Sequence, residues 1–260
     1  MRRSKILAKL RANESVIMPQ VGRFITPEMV ELVGMLGFDC IWIDMEHKSF
    51  ELDLLSKLTL ACRATDMDSM VRLVKGNYTN VIRTLEVGAT GLMLPHCMSA
   101  KEAAEFVRMA KFQPLGRRAI DGVGVDASYG MAEPVKYLQE ANDQTFLVVQ
   151  IEDPEGVDDI EAIISVKGID VIFVGPGDLS HGYGVFPDLK HELIQKVLDR
   201  LAILCEKAGK WWGTPILSLE HGQHLIEQGA RFLTFGADVY VLIEGFKKLY
   251  QESSLLSKKK

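Results

Sequence analysis

Apolar residues gather along this chain in eight short runs, at positions 16–21, 40–46, 69–74, 91–95, 145–152, 171–175, 211–217 and 232–236. Most are rich in β-branched residues and stay apolar until their last few positions, where polar residues and glycine take over. A parallel strand reads this way because helices cover both faces of its sheet and the chain meets solvent only at the carboxyl edge. Between most of the runs, segments 27–36, 52–64, 80–87, 100–111, 157–166, 193–208 and 219–227 repeat their apolar residues at helical spacing. Strand and helix alternating eight times predict one α/β domain over 1–260, a single (β/α)8 TIM barrel, a fold of typically about 250 residues. The glycines that open GFDC, GATG, GID and GARF fit helix C-caps leading into the next strand.

Two stretches depart from the alternation. Positions 112–140 carry PLGRRAIDGVGVDASYG, dense in glycine and charge, and long loops inside compact domains usually serve as lids or binding loops. Positions 239–256 read as an amphipathic helix ending in a solvated Lys258-Lys259-Lys260 tail. A hydrophobic content of 47% supports a large core, and a net charge of -5 argues against nucleic acid as a partner. Four scattered cysteines without a CxxC pair point to a reducing compartment. MRRSKILAKLRANES has a basic start but no apolar core, and no 18-residue apolar run occurs, so a cytoplasmic protein without a membrane segment is expected.

The chemistry concentrates at strand ends. Glu152 lies in FLVVQIEDPEG and Asp178, 26 positions on, in VIFVGPGDLS, each past an apolar run, so both carboxylates reach the carboxyl edge where barrels keep their active sites. Adjacent carboxylates repel unless a cation lies between them, and oxygen ligands suit a hard divalent ion. Gln150 shares the inward face with Glu152, while Ile151 points toward the helices. The plainer alternatives are a helix N-cap partner for Glu152 and a simple turn for GPGD, although Gly177 there also lets backbone N–H groups approach an anion. The second strand ends in Ile43-Asp44-Met45-Glu46-His47, where His47 could act as acid/base with Asp44 orienting its ring; a capped surface turn is the alternative. Arg72 interrupts the apolar SMVRLV and must meet an acid or an anionic ligand. His96 and His181 read as loop histidines, His221 and His224 as solvent-facing ones, and Trp211-Trp212 as core or interface. No GxGxxG, Walker A, HExxH or GxSxG pattern occurs.

Taken in order, IDMEHKSF, VRLVKGN, the PLGRR loop, VVQIEDPEGV and IFVGPGDLS resemble the motifs of the HpcH/HpaI aldolases, with 25 positions from His47 to Arg72 and 26 from Glu152 to Asp178. That family includes 4-hydroxy-2-oxoheptanedioate and 2-dehydro-3-deoxyglucarate aldolases. The resemblance implies a class II, metal-dependent carbon–carbon lyase that cleaves a 4-hydroxy-2-keto acid to pyruvate and an aldehyde. By the same resemblance Glu152 and Asp178 hold a divalent cation such as magnesium, manganese or cobalt, and Gln150, Gly177, Asp178 and Arg72 bind the keto acid. Arg72 then stabilises the enolate and His47, oriented by Asp44, moves the proton. A homohexamer, a trimer of dimers exchanging C-terminal helices, is also implied. Two positions depart from the family pattern. Glu86 stands where an aspartate usually reaches toward a neighbouring subunit's site, and Asp126 stands in VDASYG where an arginine is usual. The second change is expected to alter substrate choice at the mouth. A citrate-lyase-like or malyl-thioester lyase is the enzymatic alternative, and a catalytically silent barrel is the non-enzymatic one.

Overall fold

The computed structural model describes residues 1–48 and 51–257; Ser49, Phe50 and the lysine tail lie outside it. Strands β1 (Val16–Val21), β2 (Cys40–Asp44), β3 (Asp68–Arg72), β4 (Gly91–Leu94), β5 (Phe146–Ile151), β6 (Val171–Val174), β7 (Trp211–Gly213) and β8 (Phe232–Ala237) form one parallel sheet. Its order is β7-β6-β5-β4-β3-β2-β1-β8, with β1 paired to both β2 and β8. The seam between β7 and β8 is closed by Arg231 N donating to Trp212 O at 3.0 Å and Ile216 N to Thr234 O at 2.8 Å. The protein is therefore a nearly closed (β/α)8 barrel.

The strand expected over 211–217 stops at Gly213. A Cβ there would lie 1.5 Å from Phe232 O, and Pro215 brings no N–H to a ladder.

The helices are α1 (Lys5–Arg11), α2 (Pro27–Met35), α3 (Leu52–Ala64), α4 (Tyr78–Glu86), α5 (Ala100–Ala110), α6 (Pro134–Gln144), α7 (Pro154–Asp158), α8 (Ile160–Ser165), α9 (Pro176–Gly182), α10 (Glu192–Ala208), α11 (Leu219–Glu227) and α12 (Asp238–Ser257). Three of them went unpredicted. Helix α1 buries Ile6, Leu7 and Leu10 in the barrel's amino end, and its seven residues are too few to show a period. Asp68 anchors it, accepting from Ser4 Oγ at 2.7 Å and Ile6 N at 3.0 Å, with Arg2 on the other oxygen. Helix α6 buries only Tyr137 and Ala141, and it starts where the Glu133 carboxylate accepts from Val135 N and Lys136 N. Helix α9 occupies what reads as a turn. The helix expected over 157–166 is divided at Asp159 into α7 and α8.

Strand side chains alternate as a barrel requires. Val16, Met18, Cys40, Trp42, Met70, Met93, Phe146, Val148, Val171, Phe173 and Phe232 fill the interior. Ile41, Ile43, Val71, Leu92, Leu147, Val149, Ile151 and Ile172 meet the helices. Helix α12 leaves Tyr240, Val241, Phe246, Leu249 and Tyr250 exposed. Among the described residues no helix is long and apolar enough to cross a membrane.

Candidate active site

The interior changes character one pleat above the aromatic layer. At the carboxyl ends of β2, β3 and β5, the inward positions are Asp44, Arg72, Gln150 and Glu152, all buried. They are brought together by register, since Asp44 pairs across with Arg72 and Gln150 with Phe173. Gly175, which follows β6, makes room for this layer: a Cβ there would come within 2.5 Å of Glu152 Oε2 and 2.7 Å of Gln150 Nε2. A pocket of about 580 Å³ opens above, lined by Trp42, Arg72, Gln150, Glu152, Gly175, Gly177 and Asp178 among others. Arg72, Gln150, Glu152, Gly177 and Asp178 thus line one pocket, with Asp178 exposed in the first turn of α9, while Asp44 and His47, expected in the same site, are absent from its lining.

Asp44 sits differently from the expectation. Its two oxygens receive Arg72 Nε at 3.0 Å and Nη2 at 2.8 Å, a bidentate pair, and Oδ1 also accepts from Glu46 N at 3.1 Å. Burial pushes the Asp44 carboxyl up, but the hydrogen bonds and charge of Arg72 outweigh it and hold it below its usual range. Toward His47 it reaches only the backbone N–H, at 3.5 Å. The imidazole is about half exposed, at 55%, and its Nε2 lies 3.6 Å from Glu46 Oε2. Asp44 therefore positions Arg72 and the turn that carries His47, and it does not hold the His47 ring; an arginine fork at this distance outcompetes a flexible ring for both carboxylate oxygens.

Glu46 and His96 are the residues that sequence reasoning missed. Glu46 faces Arg72 Nη1 at 3.1 Å and His96 Nε2 at 3.5 Å. His96, bent into the site by a left-handed backbone at φ 48, donates its N–H to Glu152 Oε1 at 2.9 Å and bonds Asp153 Oδ2 through Nδ1 at 2.8 Å. Burial pulls the His96 ring's pKa down, yet the Asp153 bond and the charges of Glu152, Asp153 and Glu46 overcome it and leave it raised. The proline before His96 in LMLPHC, a strand-end turn, was the only available sign.

One ligand atom each from Glu46, His96 and Glu152 lies within 4.8 Å of the others. Glu152 is 1% exposed, and burial pushes its carboxyl up to about 7 against the His96 amide and the charges of His96 and Arg72. Gln150 Oε1 is buried without a hydrogen-bond partner; Glu46 Oε2 is too, since it lies near Arg72 Nη1 but off the donor direction. A buried carboxylate short of positive charge, ringed by unsatisfied oxygens and one imidazole, is a donor set that fits a divalent cation.

The two departures from the family pattern lie elsewhere. Glu86 ends α4 at the amino edge of the barrel, where burial and then Asp121 and Asp126 raise its carboxyl against Arg118. Asp126 is buried and not at the mouth. It accepts from Arg118 Nη2 at 2.6 Å and Tyr137 Oη at 2.7 Å, tying the 117–133 loop to α6. The loop packs on α4, through Val125 N to Glu86 O and Ala119 N to the Tyr78 hydroxyl, rather than over the pocket. His181, His221 and His224 are absent from the pocket lining.

A barrel with carboxylates, an arginine and histidines at the ends of its second to sixth strands has the architecture of a lyase, and comparison with known proteins agrees. Residues 24–245 match the family model described as HpcH/HpaI aldolase/citrate lyase. The "Hydroxypyruvate/pyruvate aldolase" of Paraburkholderia phytofirmans is 32% identical over 85% of this chain and 87% of its own. The "4-hydroxy-2-oxo-heptane-1,7-dioate aldolase" of Shigella sonnei is 30% identical over 89% of each. The crystal structure of an HpcH/HpaI aldolase from Desulfitobacterium hafniense superposes with a TM-score of 0.89 at 26% identity, covering 97% of this chain and 96% of that one. The chain belongs to the HpcH/HpaI aldolase/citrate lyase family, and it is an enzyme of the aldolase class.

Proposed function

We propose that this aldolase cleaves a 4-hydroxy-2-keto acid to pyruvate and an aldehyde, in the cytoplasm, as a homohexamer joined through α12. The observation that carries the reaction is the buried Glu152 carboxylate beside Arg72, with Asp178 on the same pocket wall. A divalent ion held by Glu152 and Asp178, with Glu46 and His96 as further candidate ligands, would supply Lewis-acid stabilisation of charge on the ketone oxygen. The chain's own groups do the rest. N–H groups at Gly177 and Asp178, in the uncapped first turn of α9, orient the keto acid's carboxylate, with Gln150 beside it. His47 takes the proton from the C4 hydroxyl, the C3–C4 bond breaks to release the aldehyde, and the electron pair remains as the enolate of pyruvate. Arg72, its Nε and Nη2 fixed by Asp44, presents its remaining face to that developing charge. Protonation at C3 then yields pyruvate. The exposed apolar face of α12 supports exchange between subunits.

The test is pyruvate release from a panel of 4-hydroxy-2-keto acids, and from malyl-CoA in parallel, with chelator and with magnesium, manganese or cobalt restored. Chelator should abolish release and metal should recover it, while Glu152→Ala should neither retain metal nor respond to it. Pyruvate release indifferent to chelator would overturn the metal assignment, and activity on the thioester alone would redirect the substrate class.

A further inference from the structure

The His96 ring is fixed from behind. Its Nδ1 lies 2.8 Å from Asp153 Oδ2, and since an ionised carboxylate only accepts, that contact puts the proton of the neutral ring on Nδ1 and leaves a lone pair on Nε2. Asp153 occupies the N-cap position of α7 yet makes no side-chain cap bond. The carboxylate that would ordinarily serve the helix's own N–H groups serves the imidazole instead. The turn that aims the ring is held as well. His96 has a left-handed backbone at φ 48, which residues other than glycine adopt at a cost, and it is kept there by Lys75 Nζ donating to His96 O and by Cys97 N donating to Gln150 O at 3.0 Å.

The free lone pair meets oxygens rather than donors. Nε2 stands 3.5 Å from Glu46 Oε1, too far for a good N–H···O bond, so two electron-rich atoms face each other across a gap that a cation would fill. Glu152 accepts from His96 N on Oε1 at 2.9 Å and from Gln150 Nε2 on Oε2 at 2.5 Å, and each of those oxygens has a second lone pair to offer. Glu46, His96 and Glu152 each bring one ligand atom within 4.8 Å of the others, and Asp178 is not part of that cluster. A nitrogen among these oxygens changes which ion the site takes. Oxygen-only sets suit magnesium, whereas imidazole suits the later first-row transition metals.

We propose that His96 Nε2 ligates the active-site cation directly, with Asp153 positioning its ring, and that this nitrogen makes the site select a first-row transition metal over magnesium. The inference rests on the metal-dependent aldolase reading and adds to its carboxylates a nitrogen donor and a class of metal.

The experiment reads metal binding without turnover. The full chain, stripped with chelator, is titrated with Co²⁺ and with Mg²⁺ by calorimetry, and the Mn²⁺-loaded enzyme is examined by pulsed electron paramagnetic resonance for coupling to a ligand nitrogen. Wild-type enzyme should show that coupling, a result that does not depend on any variant folding. His47→Gln, which removes the other imidazole near Glu46, should keep it, and His96→Gln should lose it. Asp153→Asn should weaken Co²⁺ binding about 10–100-fold, as loss of an outer partner of a metal-bound histidine does, and His96→Gln should weaken it at least as much while leaving Mg²⁺ affinity nearly unchanged. Manganese bound without nitrogen coupling, coupling that disappears with His47 rather than His96, or an equal fall in Co²⁺ and Mg²⁺ affinity on His96→Gln overturns the ligand. If the ion sits on oxygens alone and pyruvate release still requires it, the aldolase reading stands and only the nitrogen donor falls. A wild-type chain that binds none of these ions overturns both.

Discussion

Two buried arginine–aspartate pairs of the same chemistry lie at opposite ends of this protein. Arg72 and Asp44 meet on adjacent strands at the carboxyl edge, where Arg72 also stacks over Trp42 at 5.0 Å and faces the reaction pocket. Arg118 and Asp126 meet within one loop, where Arg118 stacks over Phe112 at 4.7 Å and Asp126 also holds the Tyr137 hydroxyl. Both are buried, both are aromatic-backed, and both depend on desolvated charges compensating each other. The difference is what lies beside the pair. Arg72 turns Nη1 toward Glu46 and lines the open pocket, whereas Arg118 is enclosed by its own chain, with its Nε and Asp126 Oδ1 buried without hydrogen-bond partners. A buried ion pair alone therefore does not distinguish function from structure; the space beside it does.

The largest expected effect is structural. Asp126→Ala leaves Arg118 buried and unpaired and should destabilise the protein by about 3–5 kcal/mol, read as a lower denaturant midpoint at unchanged m value, while the protein still folded keeps its turnover. A midpoint close to wild type would show that the loop pair contributes no net stability.

Arg72→Lys tests the other pair. Charge is kept but the planar fork is lost, so kcat for keto-acid cleavage should fall roughly 10²–10³-fold, as for loss of a donor to a developing oxyanion. A stability loss as large as the activity loss would instead make the pairs equivalent and remove the contrast.

His47→Ala sharpens the assignment around Arg72. Cleavage should fall by about 10²-fold or more, while decarboxylation of oxaloacetate, which takes no proton from a substrate hydroxyl, should persist. Equal falls in both activities with metal still bound would place His47 in support of the enolate rather than in proton transfer.

The smallest effect belongs to Tyr137→Phe, which removes one hydrogen bond to Asp126 but leaves the salt bridge. A loss of about 1.5 kcal/mol is expected from thermal or denaturant unfolding, with kcat for cleavage intact. No measurable change would assign the Asp126 side chain's value wholly to Arg118.

Apolar runs and their spacing were enough to determine the barrel, because a strand covered on both faces can contain little but apolar residues, and because side chains alternate in and out with a period of two. That rule alone put Gln150 and Glu152 on the inner face and Ile151 among the helices, where the structure has them. It also set Asp44 and Arg72 at strand ends. What the rule could not determine was partnership. Asp44 is three residues from His47 yet binds Arg72, 28 positions away, because the β2–β3 register aligns them and the fork offers two bonds at once. His96 read as a loop residue because nothing local predicts the left-handed turn that brings it to Glu152. Asp126 looked like a charge at the mouth, and only the packing of its loop on α4 and α6 buries it. Local sequence pattern sets which face a residue occupies; which distant residue it meets there depends on strand register and loop path, and those are properties of the assembled barrel.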